Sequence, residues 1–419
     1  MLRNHPSLCL WVGGNEWQPP MDLNATLSNL VSELDPMRLY LPSSLSGGIG
    51  PHDGPYGIKE PIWFFRWKDR SAFNPEMGSV GVPVVETMHE FIPESQMHPF
   101  GERNVVWNYH KYIPYYHHSP SQIDSYGVPE TISDFCTRAQ LVNYVQYKAL
   151  MEGRQQHMWK WYTGILVWKS QNPWAGLRGQ FYDWYGDQTA SFYGVKSANE
   201  ALHIQYNLHN DGVYIINHSL SNVTDLHATA IQYLISPTGD VVSSVNSFCN
   251  ATVPFVDSNF VYFTNCTAPT LEVGSIAFLE LNLANSHTNE EISSNIYWLS
   301  GSRELAIGQF SILQNLKTAS FNYTYQYQNL TDPTSGDSLV VASLTFTNTE
   351  VNAIAFFLRL QVLNKNKDRI LPVSYSDNYF TLLPGRSKSA TVSFVQPKEE
   401  WNIYISGWNQ SSLLLLPTQ

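Results

Sequence analysis

Charge is what this sequence has least of. Asp, Glu, Lys and Arg make up 14% of its 419 residues, against about 25% in an ordinary globular protein. Of these, 24 are Lys or Arg and 35 are Asp or Glu, which leaves a net charge of −11. No block of Lys or Arg interrupts the chain, so it lacks the basic footprint that nucleic-acid backbones require. No apolar run is long enough to span a bilayer. The first residues do not read as a charged-then-apolar leader. Cysteine is scarce too. The four, Cys9, Cys136, Cys249 and Cys266, show no metal-ligand spacing. Cys9 and Cys136 lie in apolar periodic segments and are expected in the core. Cys249 and Cys266 are candidates for a disulfide or for two free thiols.

Aromatic residues are abundant, at 14% of the chain, with 13 Trp, 24 Tyr and 20 Phe. That composition excludes disorder. At this length a single core does not suffice, and two or three domains are expected. N-x-S/T sequons occur at Asn24, Asn217, Asn222, Asn250, Asn265, Asn322, Asn329 and Asn409. They lean toward a secreted or vacuolar route.

The first half alternates short apolar runs with helical periodicity, the pattern of a parallel β/α architecture. Leu8–Val12 reads as a buried parallel strand ending in Gly13-Gly14-Asn15-Glu16, whose glycines suit close backbone approach to a ligand. Leu23, Leu27, Leu30, Val31 and Leu34 recur at helical spacing, with Asp22 as N-cap. Arg38–Leu41 is a short strand candidate. Ala72-Phe73 leads into Asn74-Pro75-Glu76. Residues Thr131 to Lys160 predict one long helix, with Phe135, Leu141, Val142, Val145 and Leu150 on one side. Gly164–Trp168 predicts another buried strand. From about Asn199 the period changes to two. Val213–Ile216, Ala228–Ile235 and Ser275–Leu281 form one set. Leu339–Thr347, Ala355–Val362, Thr391–Phe394 and Asn402–Ile405 form a second. Two consecutive β-sandwiches are expected.

Glu16 and Glu76 each follow an apolar run and precede a turn. A pair of carboxyl groups at the ends of different parallel strands suits general acid and nucleophile chemistry, because the charge on one raises the pKa of the other. From the residues alone, each glutamate reads more readily as a solvated loop acid. His110, His117 and His118 flank a Tyr-rich loop, but no acid/His spacing matches a metal-ligand set. Trp63, Phe64, Phe65 and Trp67 are candidates either for ligand contact or for packing under a loop. His52 and Asp53 could hydrogen-bond a polar ligand but carry no further signal.

Several segments in order carry a family resemblance: HPSLCLWVGGNE, FNPEMGSVGVPVVET, WNYHKYIPY, QLVNYVQYKALMEG, TGILVWKSQNPWAGLRGQFYD and DQTASFYGVKSANEALHIQYN. Together they resemble glycoside hydrolase family 2, near its plant-type endo-β-mannosidases, with exo-β-glucosaminidases next. The match is close over residues 1–210 and looser beyond. It implies the C-terminal half of a (β/α)8 TIM barrel, strands four to eight, over residues 1–198. Two immunoglobulin-like β-sandwiches follow, over 199–314 and 315–419. It implies Glu16 as acid/base and Glu76 as nucleophile, with Glu86 as a rival nucleophile. Asn15 would bond the sugar near its 2-position. Trp168 would floor the sugar site, with Asn172 and Trp174 on the rim loop. The implied activity is retaining cleavage of β-mannosidic bonds in an oligosaccharide or glycoprotein glycan, without cofactor, metal, membrane or obligate protein partner. Exo-β-glucosaminidase activity and a non-catalytic carbohydrate-binding remnant are the alternatives. The family pattern carries more chain ahead of this point, so a partial gene product or an incomplete gene model is expected.

Overall fold

The computed structural model describes residues 2–45, 54–68, 72–253, 257–261, 271–302 and 305–418. His52, Asp53, Asn265, Cys266 and the side chain of Cys249 lie outside the described set, and with them the candidate disulfide.

Among the described residues, the first half contains four short strands in two parallel pairs. β1 (Leu10–Val12) pairs with β2 (Leu39–Leu41), and β3 (Phe73–Met77) pairs with β4 (Gly164–Val167). Helices α1 (Met21–Leu34), α2 (Trp63–Arg66), α3 (Val85–Phe91), α4 (Val105–Tyr109), α5 (Ile132–Gln155) and α6 (Ala190–Ala198) intervene or follow. Parallel strands need such crossovers.

Two apolar strands expected to be buried are not. Val12 of β1 is exposed, and so is Leu166 of β4. Each belongs to a two-stranded sheet, and a two-stranded sheet offers few neighbours to cover an apolar face. Cys9 is likewise exposed, against expectation, whereas Cys136 of α5 is buried. α1 follows the predicted periodicity, yet none of its residues is buried. Asp22 sits in its first turn, and Pro20 is the N-cap, without a side-chain cap bond.

α5 is the opposite case. Thr131 and Asp134 form a capping box, each side chain accepting the other's backbone N–H at 3.1 Å. Such reciprocal bonds satisfy donors that a helix start leaves orphaned. Phe135, Leu141, Val142 and Leu150 are buried along it. The helix stops short of Lys160. Trp159 adopts a φ of 64°, and its N–H donates to the Tyr162 carbonyl.

The second half is all β. β5 (Leu202–Tyr206), β6 (Val213–Asn217) and β9 (Asp257–Val261) form a three-stranded sheet. β7 (Val223–Ile235), β8 (Val241–Val253), β10 (Ile276–Asn285) and β11 (Glu291–Ser300) form a second, in the order β11-β10-β7-β8. Ile204, Ile215, Leu226, Leu279 and Leu281 are buried between the two. A further pair of four-stranded sheets follows. One runs β12-β13-β17-β15, from β12 (Phe321–Thr331), β13 (Ser338–Asn348), β15 (Val373–Tyr375) and β17 (Ser387–Val395). The other runs β16-β14-β18-β19, from β14 (Ala355–Asn364), β16 (Phe380–Leu382), β18 (Trp401–Gly407) and β19 (Gln410–Leu415). Inward residues alternate along these strands, as packed antiparallel sheets require.

The two halves share one core. Tyr144 of α5 meets Trp298 of β11 at 5.9 Å and Phe357 of β14 at 5.8 Å between ring centroids. Two sequon asparagines are committed internally. The Asn217 amide donates to the Ser221 carbonyl, and that of Asn409 to those of Lys317 and Ile354.

Candidate active site

Glu76 sits on β3, where Asn74 and Met77 are buried and Glu76 is half-buried. Asn74 ties the neighbouring segment to the strand. Its amide donates to the Gly54 carbonyl at 2.8 Å, and its oxygen accepts the Glu76 N–H at 3.0 Å. Gly54 N–H donates in turn to the Glu76 carbonyl at 2.7 Å. This places Tyr56 so that its hydroxyl donates to Glu76 Oε2 at 2.9 Å. Pro75, lacking an N–H, coincides with the break in β3–β4 register between Asn74 and Met77.

Trp168 follows β4, with its N–H donating to the Met77 carbonyl at 2.9 Å. The end of β3 presses against it. A Cβ added to Gly78 would lie 2.0 Å from the Trp168 carbonyl oxygen, so only glycine fits there. The Trp168 indole stands edge-on to Tyr56 at 5.3 Å. Two cations lie close to that indole. Lys169 Nζ lies 4.5 Å from its centroid and the Arg178 guanidinium carbon 4.4 Å. Burial, and then the charge of Arg178, push the Lys169 ammonium below its usual pKa.

Asn172 is buried. Its amide donates to the Arg178 carbonyl at 3.1 Å and to Gln180 Oε1, closing the loop from 172 to 180. The expected rim residue therefore shapes the loop and spends its amide there. Trp174, on the same loop, stacks on His110 at 5.3 Å and meets Tyr109 edge-on at 5.5 Å.

Asn15 and Glu16 lie beyond the carboxyl end of β1, and both are exposed. The loop is fastened to the chain after β2. Gly13 N–H donates to the Leu41 carbonyl, Ser44 N–H to the Gly14 carbonyl, and Glu16 N–H to Ser44 Oγ at 2.8 Å. Glu16 itself has a φ of 54°, a left-handed conformation that costs a non-glycine residue energy. The two glycines are explained locally. A Cβ at Gly13 would meet the Tyr40 hydroxyl at 2.3 Å, and one at Gly14 the Trp17 carbonyl at 2.4 Å. They serve packing within the loop, where close approach to a ligand was expected. Tyr56, Glu76, Trp168 and Arg178 thus form one group. Among the described residues no hydrogen bond links Asn15 or Glu16 to it, and their strands belong to a separate sheet.

Glu86, the rival nucleophile, is engaged elsewhere. Arg359 of β14 grips both its carboxylate oxygens, at 3.0 and 3.1 Å, and Gln361 donates to it at 2.8 Å. Burial alone would raise its pKa. The Arg359 charge and these bonds outweigh that and hold it at about 2. Phe64 and Phe65 pack in a core with Met77 and Leu150, and Trp67 is exposed. Among the described residues no three His, Cys, Asp or Glu side chains gather as a metal site, and no helix is long and apolar enough to cross a membrane. Sequence reasoning passed over Tyr56, Lys169 and Arg178. Arg178 and Lys169 lay inside a quoted motif, whereas Tyr56 carried no signal beyond its neighbouring Gly and Pro.

Comparison with known proteins gives this site a context. The mannosylglycoprotein endo-β-mannosidase of Lilium longiflorum is 33% identical over 98% of this chain and 53% of its own length. The exo-β-D-glucosaminidase of Amycolatopsis orientalis is 25% identical over 97% of this chain and 42% of its own. Residues 301–410 match the family model of the exo-β-D-glucosaminidase Ig-fold domain. Among solved structures, the Amycolatopsis orientalis exo-chitosanase superposes with a TM-score of 0.77 at 23% identity, covering 100% of this chain and 52% of that one. The Dictyoglomus thermophilum β-D-mannosidase gives 0.65 at 17% identity, over 97% and 49%. These two likenesses speak to fold. The chain spans about half the length of the curated relatives it matches. Over its own 419 residues, the chain is a relative of the endo-β-mannosidase and exo-β-glucosaminidase group of glycoside hydrolase family 2.

Proposed function

We propose that this chain carries the reacting carboxylates of a retaining β-glycosidase acting on β-mannosidic bonds in glycans. The observation that supports it most is the half-buried Glu76, held by the Tyr56 hydroxyl beside the Trp168 ring. A nucleophile must be held in place, and a hydrogen bond from a phenol to a carboxylate does that. In this reading Glu76 attacks the anomeric carbon while Glu16 protonates the leaving oxygen, and the sugar becomes esterified to Glu76. Glu16 then takes a proton from water, which attacks the same carbon and releases Glu76. Retention requires the two carboxyl groups about 5–5.5 Å apart. Trp168 is the sugar platform, Asn15 bonds near the 2-position, and Trp174 lies on a rim loop braced by Asn172.

The same reading assigns residues 1–198 to the latter half of a (β/α)8 barrel and 199–314 and 315–419 to two immunoglobulin-like sandwiches. It takes the chain as part of a longer enzyme. The identity to the lily endo-β-mannosidase favours mannose over glucosamine, and exo-β-glucosaminidase is the second reading, favoured by the match at 301–410.

The test is hydrolysis of an aryl β-mannoside by the 419-residue chain and its Glu76→Gln variant. The variant is expected to lose on the order of a thousandfold in kcat or more. Equal rates for both proteins remove Glu76 from the chemistry. Binding of the glycoside without any hydrolysis supports a non-catalytic carbohydrate-binding role instead.

A further inference from the structure

Among the described residues, Lys169 and Arg178 are cations without an anionic partner. Neither forms an ion pair there, and the Arg178 Nε is buried without a hydrogen-bond acceptor. Both are half-buried, and both lie against the indole of Trp168, 4.5 and 4.4 Å from its centroid. Arg178 also lies 6.0 Å from the ring of Tyr56, whose hydroxyl donates to Glu76. An aromatic face attracts a cation but leaves its charge in place. The two like charges repel one another, and burial disfavours the Lys169 charge further. Such an arrangement costs stability, and proteins retain that cost mainly where a site needs it. The ring that both cations approach is the one that the proposed function assigns as sugar platform.

We infer that Lys169 and Arg178 are specificity-determining residues that turn the Glu76 pocket toward neutral hexosides and away from sugars bearing a protonated 2-amino group. The inference rests on the proposed function, since it presupposes that Trp168 faces a sugar. Its physical content is charge arithmetic at the rim. An ammonium entering beside Trp168 meets two cations against the single carboxylate of Glu76. Juxtaposed like charges are a common means of rejecting a wrong partner. A hydroxyl at the same carbon meets no such penalty, and the Arg178 N–H groups can donate to it.

The experiment compares two non-hydrolysable ligands of matched shape, methyl 1-thio-β-D-mannoside and its 2-amino-2-deoxy counterpart. Each is titrated calorimetrically into the full chain in mildly acidic buffer, where the amine holds its proton. The neutral ligand is expected to bind about tenfold more tightly. In a Lys169→Gln/Arg178→Gln double variant the preference should fall to about twofold or less, through a gain in binding of the amine. Arg178→Lys, which keeps the charge, should keep the preference. If the double variant does not fold, Lys169→Gln alone carries the test, with an intermediate preference expected. Equal binding of both ligands to the parent chain, or an unchanged preference once the charges are gone, overturns the inference and leaves the sugar site standing. Failure of both ligands to bind overturns the sugar-site reading, and the inference with it.

Discussion

A single phenol hydroxyl orients Glu76. Tyr56 reaches it only because Asn74 and Gly54 hold residues 54–56 alongside β3. The constraint is therefore local and specific. Tyr56→Phe removes one hydrogen bond to a charged acceptor, a loss of roughly 1.5–3 kcal/mol. In the catalytic reading, kcat on an aryl β-mannoside should fall at least about tenfold while KM changes little. Steady-state kinetics of the pair checks it, and an unchanged kcat would separate Tyr56 from the chemistry. None of this was legible in the residues around Tyr56. Hydrogen bonds between segments about twenty residues apart depend on how the chain passes β3, and no periodicity encodes that. Glu76 itself was legible, because a short apolar run before a Gly/Pro turn marks a strand end.

At the scale of elements, α3 is held by β14 through charge. Arg359 bonds Glu86 and Asp187, and Arg369 reaches Asp187 at 3.0 Å and Thr87 at 2.7 Å. Thr87 lies on the helix that follows β3, and Asp187 on the chain that follows β4. The clamp thus ties the outgoing connections of the strands that lead to Glu76 and Trp168. Glu86 has a folded pKa of about 2, below its ordinary 4.5. The folded state therefore binds its proton less readily than the unfolded chain does. Its stabilising contribution is present above pH 4.5 and disappears as pH falls through 4.5 toward 2. Glu86→Gln should lower stability near neutrality by roughly 1–2 kcal/mol, allowing for solvent screening of this partly exposed group. The difference from the parent should shrink as pH falls across that window. Urea unfolding midpoints at a series of pH values measure it. A constant gap from pH 7 to pH 2 would contradict the assignment. The sequence offered Glu86 as a rival nucleophile and gave no sign of this clamp, since its partner stands 273 residues away.

For the molecule as a whole, burial is unevenly distributed. One core runs from α5 through the β11-β10-β7-β8 sheet and the last pair of sheets, whereas α1 buries no side chain at all. Leu23, Leu30 and Leu34 on its apolar face are exposed. Helices without tertiary packing have little to hold them beyond propensity. Backbone amides of Met21–Leu34 should exchange with deuterium at least about a hundredfold faster than those of Ala139–Leu150. Mass-spectrometric exchange on the intact chain decides this, and equal protection would show that α1 is covered in solution.

Sequence by itself determined the element types: helical spacing in α1 and α5, alternation across the sandwich strands, and apolar runs for β1 and β4. Those patterns follow from bond geometry and from the three- and two-fold rhythms of side chains, which are properties of the local chain. Only the tertiary structure decided which apolar faces are covered, why α1 and β1 are exposed while α5 is not, and which charges meet. Burial and ion pairing depend on what arrives from elsewhere in the chain. Tyr56 beside Glu76, two cations against Trp168, and Arg359 against Glu86 are all products of that arrival.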